Sequence, residues 1–464
     1  MAEGAKFLQG SLFKHITVMS FTSSVGLIAV FAVDFVDMIF ISMLGKDELA
    51  AAIGYAGAIL FFTSSFGIGM AIASGALVAR PLGAGDEAEA REKAATSLLW
   101  GVIFGSLFAA LVWLNIPSLV ALMGATGETQ ELATSYLRII IPSLPLLLIG
   151  MVGGAVLRAY GDARRSMFAT VAGGVVNAVL DPILIFGLDL ELTGAALASV
   201  CARFAIAFWA LKPIFQHHGG LQRPSMGMMT RDFPPLAVIA FPAILTQLAT
   251  PIGQAYVTRS MAEYGADAVA GMAIVGRLVP VSFAVLFALS GAIGPIIGQN
   301  YGAKLYDRVD QAFKEGLLFC AAVVIIVSGI LFGLREPLAA LFQAEGLVRQ
   351  LLFLFCGPLA LMWFFNGVIF VTNASFNNLG HPFYSTWINW GRHTLGTIPF
   401  VIVGASLYGA PGVLIGQALG GAIFAGVALF LVFRVQRLAR EEALETAKPH
   451  ERQMRLFQLF NHRH

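Results

Sequence analysis

Three acidic residues stand inside apolar stretches of this chain, where a charge is costly and its presence points to a task. Asp37 lies eight residues before Gly45, which is about 12 Å of helix. That depth is well inside a hydrocarbon core about 30 Å thick. Asp34 is three residues earlier and shares the helix face. Two close carboxylates in a low dielectric do not both ionise readily, so the pair suits a bound proton or cation. Asn177 and Asp181 repeat the arrangement at a spacing of four residues, again on one face. Pro182 follows at once; it has no N–H and leaves a carbonyl one turn back without its helical partner. An amide, a carboxylate and a freed carbonyl make an oxygen-rich place for H⁺ or Na⁺.

The elements that must hold these groups are membrane helices. Charged residues make up 12% of the chain and AVILMFWYC 58%, with mean hydropathy +0.79, against about a quarter charged in soluble proteins. Twelve apolar spans of sufficient length follow one another: 16–43, 49–79, 94–122, 131–158, 164–188, 193–213, 235–260, 267–298, 313–335, 349–375, 382–407 and 411–434. Lys and Arg fall heavily on one side of them, 21 of 29 lying on the side of the N-terminus. The positive-inside bias therefore predicts that both ends are cytoplasmic, in a multi-pass protein of the inner cell membrane. The start of the chain carries no cleavable-signal pattern.

The second half repeats the first at 219 to 220 positions. Gly45 corresponds to Gly265, the stretch Pro81 to Asp86 to Asn300 to Lys304, and Gly161-Asp162-Ala163 to Gly380-His381-Pro382. An even number of spans per copy keeps both in one orientation, so a pseudo-two-fold along the membrane normal is expected. The predicted fold is all-α and integral to the membrane, with twelve helices in two six-helix lobes. The N-lobe is 1–213, a solvated cytoplasmic linker with His217 and His218 is 214–234, the C-lobe is 235–434, and an amphipathic tail is 435–464. The acids are not duplicated: Gln254 stands for Asp34 and Val257 for Asp37, while Arg392-His393-Thr394 to Pro399 stands beside Asn177 to Pro182. Arg392 and His393 are candidates for balancing the acids or touching substrate.

Other chemistry finds no support. No Walker loop or H-E-x-x-H motif occurs, and Gly67-Ile68-Gly69 lies in an apolar helical stretch without the strand a dinucleotide site needs. Cys201, Cys320 and Cys356 are scattered through apolar stretches and form no metal motif. The formal charge of +2 argues against a nucleic-acid partner. No cofactor is expected; the energy source must be an ion gradient.

Val36-Asp37-Met38-Ile39-Phe40-Ile41-Ser42-Met43-Leu44-Gly45 with Leu49-Ala50-Ala51 resembles the first-span signature of the multidrug and toxic compound extrusion (MATE) transporters. Leu82 to Asp86 and Gly298 to Ala303 resemble that family's loops after spans two and eight, and Leu157 to Asp162 with Asn177 to Pro182 its fourth and fifth spans. The likeness spans nearly the whole chain. It implies the MATE-like fold of the MOP superfamily, in a monomeric exporter exchanging H⁺ or Na⁺ for bulky, often cationic organic molecules. It also implies that Asp37, Asn177 and Asp181 form the ion site, with Ser199 where the DinF-type branch often has Thr. The acids of NorM-type second halves are missing, and Gln247 and Asn366 are among the few polar residues there. Thr22 stands where many relatives carry a first-span proline, and Asp34 where they often have Asn. The rival expectations are a lipid-linked precursor flippase of the same superfamily and an uncoupled channel-like membrane protein.

Overall fold

A computed structural model describes residues 5–446, and the distal tail of the sequence lies outside them. Every regular element among these residues is helical. Among the described residues, eleven helices are long and apolar enough to cross a membrane. The first half comprises α1 (Leu12–Met43), α2 (Asp47–Ala84), α3 (Glu87–Leu122), α4 (Gly127–Ile140), α5 (Leu144–Ala159), α6 (Ala163–Pro182) and α7 (Glu191–His217). The second comprises α8 (Met226–Ala262), α9 (Ala266–Ser282), α10 (Ala284–Gly302), α11 (Tyr306–Leu341), α12 (Gly346–Leu354), α13 (Ala360–Asn378), α14 (Pro382–His393), α15 (Ile398–Tyr408) and α16 (Ala410–Thr446).

Several expected spans are broken where the sequence breaks helices. Pro142 lies in the turn between α4 and α5 and Pro145 at the start of α5, and Gly357-Pro358 occupies the kink between α12 and α13. The span expected at 382–407 is two short helices parted at 394–397, so it is absent from the eleven long ones. By contrast α1 runs unbroken from Leu12 to Met43, straight through Thr22. The link between the halves is shorter than 214–234: α7 continues to His217 and α8 begins at Met226, leaving 218–225 non-helical. The link is also docked rather than free in solvent. The ring of His218 stacks on Tyr160 at 4.5 Å, and its Nε2 lies 3.1 Å from Asp162 Oδ2.

The packing repeats in the two halves. α1 lies along α6 as α8 lies along α14, α2 along α5 as α10 along α13, and α6 along α7 as α15 along α16. Between the halves, α1 and α2 both pack on α10, and α2 on α8. At the end of the molecule carrying Gly85 these contacts become reciprocal. A Cβ on Gly83 would stand 1.9 Å from the Gln299 carbonyl oxygen, and one on Gly302 would stand 2.0 Å from that of Arg80. Only glycine lets the two backbones meet there. The polar contacts are paired likewise: Arg80 Nε donates to the Asn378 carbonyl at 3.0 Å, and Gln299 Nε2 to the Ala159 carbonyl at 2.7 Å. The segment before α1 is tied into the seam. Buried Phe7 donates its N–H to Gln299 Oε1, and its carbonyl accepts from Asn300 Nδ2 and Arg308 Nη2.

A second tie joins the halves. Lys93 Nζ of α3 reaches Asp232 Oδ1 of α8 at 2.6 Å, and the Thr96 hydroxyl donates to Asp232 Oδ2 at 2.9 Å. Asp232 is 1% exposed. The second half thus does hold a buried acid, but one neutralised by a cation from the first. Cys201, Cys320 and Cys356 are all free thiols.

Candidate ion-coupling site

The packing of α6 against α1 decides which polar groups meet. Gly26 of α1 lies against Met167 and Thr170 of α6, and Gly174 of α6 against Val33. Small residues at the crossing let the helices approach closely. Asn177, 140 positions away in the chain, is thereby set opposite Asp37. Its Nδ2 donates to Asp37 Oδ1 at 3.0 Å, to Asp37 Oδ2 at 3.1 Å and to Asp181 Oδ2 at 2.7 Å. The Asp37 and Asp181 carboxyls thus lie against the same amide nitrogen and beside each other. Asn177 is 4% exposed and Asp181 fully buried.

This cluster is short of donors. One amide serves two carboxyls, and the buried Oδ1 of Asp181 has no hydrogen-bond partner. An orphaned buried oxygen is costly, and two carboxylates in contact repel. One positive charge, either a proton shared by Asp37 and Asp181 or a small cation among their oxygens, relieves both. Pro182 ends α6 directly behind Asp181, and a wide turn over Ile183–Gly187 redirects the chain into α7.

α7 and α4 close the other side. Tyr136 of α4 is buried near Ser199 of α7, within electrostatic reach of Asp37, Asp181 and Arg203. Arg203 Nη1 donates to the Ile140 carbonyl at 3.2 Å and to Ser143 Oγ at 3.0 Å. Ser199 makes none of the hydrogen bonds of the acid cluster. No sequence signal marks Tyr136, because a tyrosine in an apolar span is ordinarily core.

Asp34 is not part of the cluster. It is exposed and makes no hydrogen bond or ion pair among the described residues, although it feels the charge of Asp37. A three-residue step turns it about 60° off the Asp37 direction on a helix.

The candidates of the second half gather elsewhere. Arg392 bonds Asn366 through Nη2 and Oδ1. His393 is 4% exposed, packs on Gly253 and leaves Nδ1 unpartnered. Neither pairs with the first-half acids, so neither balances them. Gln254 is exposed and Gln247 half-buried on α8, without a bond to Arg392 or His393. Among the described residues no group of three or more His, Cys, Asp or Glu side chains is placed to hold a metal.

At the loop before α6, Asp162 caps the helix through the Arg165 N–H. Burial alone would raise its carboxyl, but hydrogen bonds from His218 and Arg165 outweigh that and hold it well below the usual range.

Comparison with known proteins matches a single family model, MatE, twice, over residues 23–183 and 242–403. The two matches begin and end 219 and 220 positions apart, the interval of the internal repeat. The FAD transporter of Shewanella oneidensis is 28% identical over 90% of this chain and 93% of its own length. The multidrug export protein MepA of Staphylococcus aureus is 23% identical over 92% of this chain and 95% of its own. Among solved structures, a single-residue mutant of the Vibrio cholerae MATE transporter VcmN superposes with TM-score 0.85 and 26% identity over 94% of this chain and 98% of its own. An outward-facing MATE structure of the MOP superfamily superposes with TM-score 0.87 at 23% identity over 94% and 99%.

Proposed function

Since the chain belongs to the MatE family of membrane transporters, we propose that it exports bulky organic molecules in exchange for H⁺ or Na⁺, taken up among Asp37, Asn177 and Asp181. The donor-poor cluster carries this reading, above all the buried, unpartnered Asp181 Oδ1. Without the ion, two carboxyls in contact push α1 from α6. With it, they share one charge and draw the helices together. Drug binding to the charged and neutral forms then differs, and the coupling is reciprocal.

The moving bodies are residues 1–213 and 235–434, two lobes rocking about the α2–α10 seam, with both termini in the cytoplasm of a monomer. The docked link 218–225 and the Lys93–Asp232 tie are the hinge side of this motion. A proline-driven bend of α1 is not needed, since Thr22 sits in unbroken helix.

Asp37→Asn keeps the shape but removes the charge that the ion neutralises. Substrate efflux should disappear while the protein reaches the membrane at its normal level. Wild-type efflux in that variant would refute the site.

The substrate has two readings. MepA relatives export multiple drugs, which favours organic cations. The FAD transporter relative favours a dinucleotide, and the half-buried Arg392–Asn366 pair with the free Nδ1 of His393 offers donors for such an anion. Proteoliposomes with H⁺ or Na⁺ gradients imposed separately, loaded with ethidium or with FAD, distinguish the two and identify the ion. A flippase would need clustered cations, whereas Arg203 and Arg392 lie in different halves on neutral partners. A channel would pass substrate down its own gradient with no H⁺ or Na⁺ gradient imposed.

A further inference from the structure

Two grooves lie side by side on the outer face of the first half, at the end where α6 begins. One, of about 620 Å³, runs between α1 and α6, walled by Phe21, Val25 and Met167 and edged by Arg164. The other, of about 210 Å³, lies between α6 and α7, with Trp209, Lys212 and His217 around it. Arg165 and Phe168 belong to both. No acidic side chain lines either groove among the described residues.

The basic groups here are unevenly committed. Arg165 is held by Asp162 at 2.5 Å. Arg164 is exposed and has no carboxylate partner among the described residues. Lys212 also lacks one; its ammonium stands over the ring of Trp209 at 4.8 Å, and Trp209 meets Phe168 edge-on at 5.0 Å. Free cations, aromatic rings and apolar walls thus meet where membrane helices end. Aromatic rings favour the headgroup level of a bilayer, and a basic groove between membrane helices there suits a lipid phosphate with its acyl chains against the apolar wall.

We propose that this double groove is a binding site for an anionic phospholipid of the adjoining leaflet. Arg164 and Lys212 contact its phosphate from either side of Phe168, and its chains lie along Phe21, Val25 and Met167. The site abuts the α1–α6 crossing that sets Asp37 against Asn177, so lipid occupancy bears on the same helix pair. The assignment rests on charge and shape, and stands whichever ion or substrate is transported.

Quenching of Trp209 tests it. The full chain is placed in phosphatidylcholine vesicles doped with brominated phosphatidylglycerol or brominated phosphatidylcholine. The Trp209 contribution is taken as the difference from Trp209→Phe. Brominated phosphatidylglycerol should quench that contribution at mole fractions where the brominated zwitterion does little. Arg164→Gln with Lys212→Gln should weaken the preference by about fivefold per charge removed, whereas Arg164→Lys with Lys212→Arg should retain it. Excess inorganic phosphate should not relieve the quenching, because the chains supply part of the binding. Equal quenching by both lipids would overturn the proposal, as would unchanged selectivity in the double glutamine variant. Relief by phosphate alone would overturn it too, leaving a phosphate site without a lipid.

Discussion

Gly83→Ala should act as a wedge at the seam between the halves. An alanine Cβ there would sit 1.9 Å from the Gln299 carbonyl oxygen and 2.6 Å from its carbon, all backbone atoms that cannot rotate away. Ordinary contact begins near 3.4 Å, so α2 and α10 must separate by about 1.5 Å, taking carbon–oxygen van der Waals separation as the limit. That displacement breaks the Arg80 bonds to the Asn378 and Asn377 carbonyls, now 3.0 and 3.3 Å, and the 2.7 Å bond from Gln299 to Ala159. Two bonds from a charged donor at about 1.5–3 kcal/mol net each and one neutral bond at about 0.5–1.5 make the closed seam lose about 3.5–7.5 kcal/mol. If the halves part at this end as they rock, the loss appears as a shift of at least about a hundred-fold toward the parted form. The reporter is Asn378→Cys in a background with Cys201, Cys320 and Cys356 replaced by alanine. Position 378 is 4% exposed and its carbonyl lies in the seam. Alkylation by an impermeant maleimide should be slow with Gly83 and at least about tenfold faster with alanine, while transport falls. Adding Gly302→Ala should contribute little more, because it wedges the same seam. Equally slow labelling in folded Gly83→Ala protein would refute the reasoning.

Three further outcomes follow from particular contacts. Asn177→Leu removes the amide shared by Asp37 and Asp181; ion-driven exchange should be lost, and ion-independent drug binding, measured by equilibrium titration, should persist. Lys304 holds φ +58° at the place where the first copy has Gly85 at φ +84°, so Lys304→Gly should stabilise the protein by about 1 kcal/mol, read as a raised thermal midpoint in detergent. The depressed Asp162 carboxyl contributes stability above its unfolded value near pH 4, and that contribution fades as pH falls through the lower folded value. Asp162→Asn should therefore destabilise by about 2 kcal/mol at pH 7 and progressively less toward pH 3; an equal cost at both would contradict the assignment.

The spans are legible in the sequence because length and hydropathy decide what can cross a membrane, and that property is local. The repeat is legible because duplication leaves its interval in the chain; the same interval separates the two family matches. Asp37, Asn177 and Asp181 stand out because charge and amide groups are rare in apolar helix and because a step of four residues keeps two of them on one face. The same spacing argument fails for Asp34. Sharing a helix face with Asp37 does not bring it to Asn177, since about a sixth of a turn separates bonding from exposure.

What tertiary structure alone decided is which distant groups touch. The resemblance implied that Asp37, Asn177 and Asp181 share a site, but no spacing in the chain says that one amide bonds both carboxyls, or that Arg392 turns to Asn366. Asp232 carries no mark in the sequence that pairs it with α3, where Lys93 meets it. Gly83 and Gly302 read as loop glycines, and their need for closeness exists only because α2 and α10 cross backbone to backbone. Helix phase follows from neighbours in sequence; contact between helices follows from how their surfaces fit, which no single stretch of the chain contains.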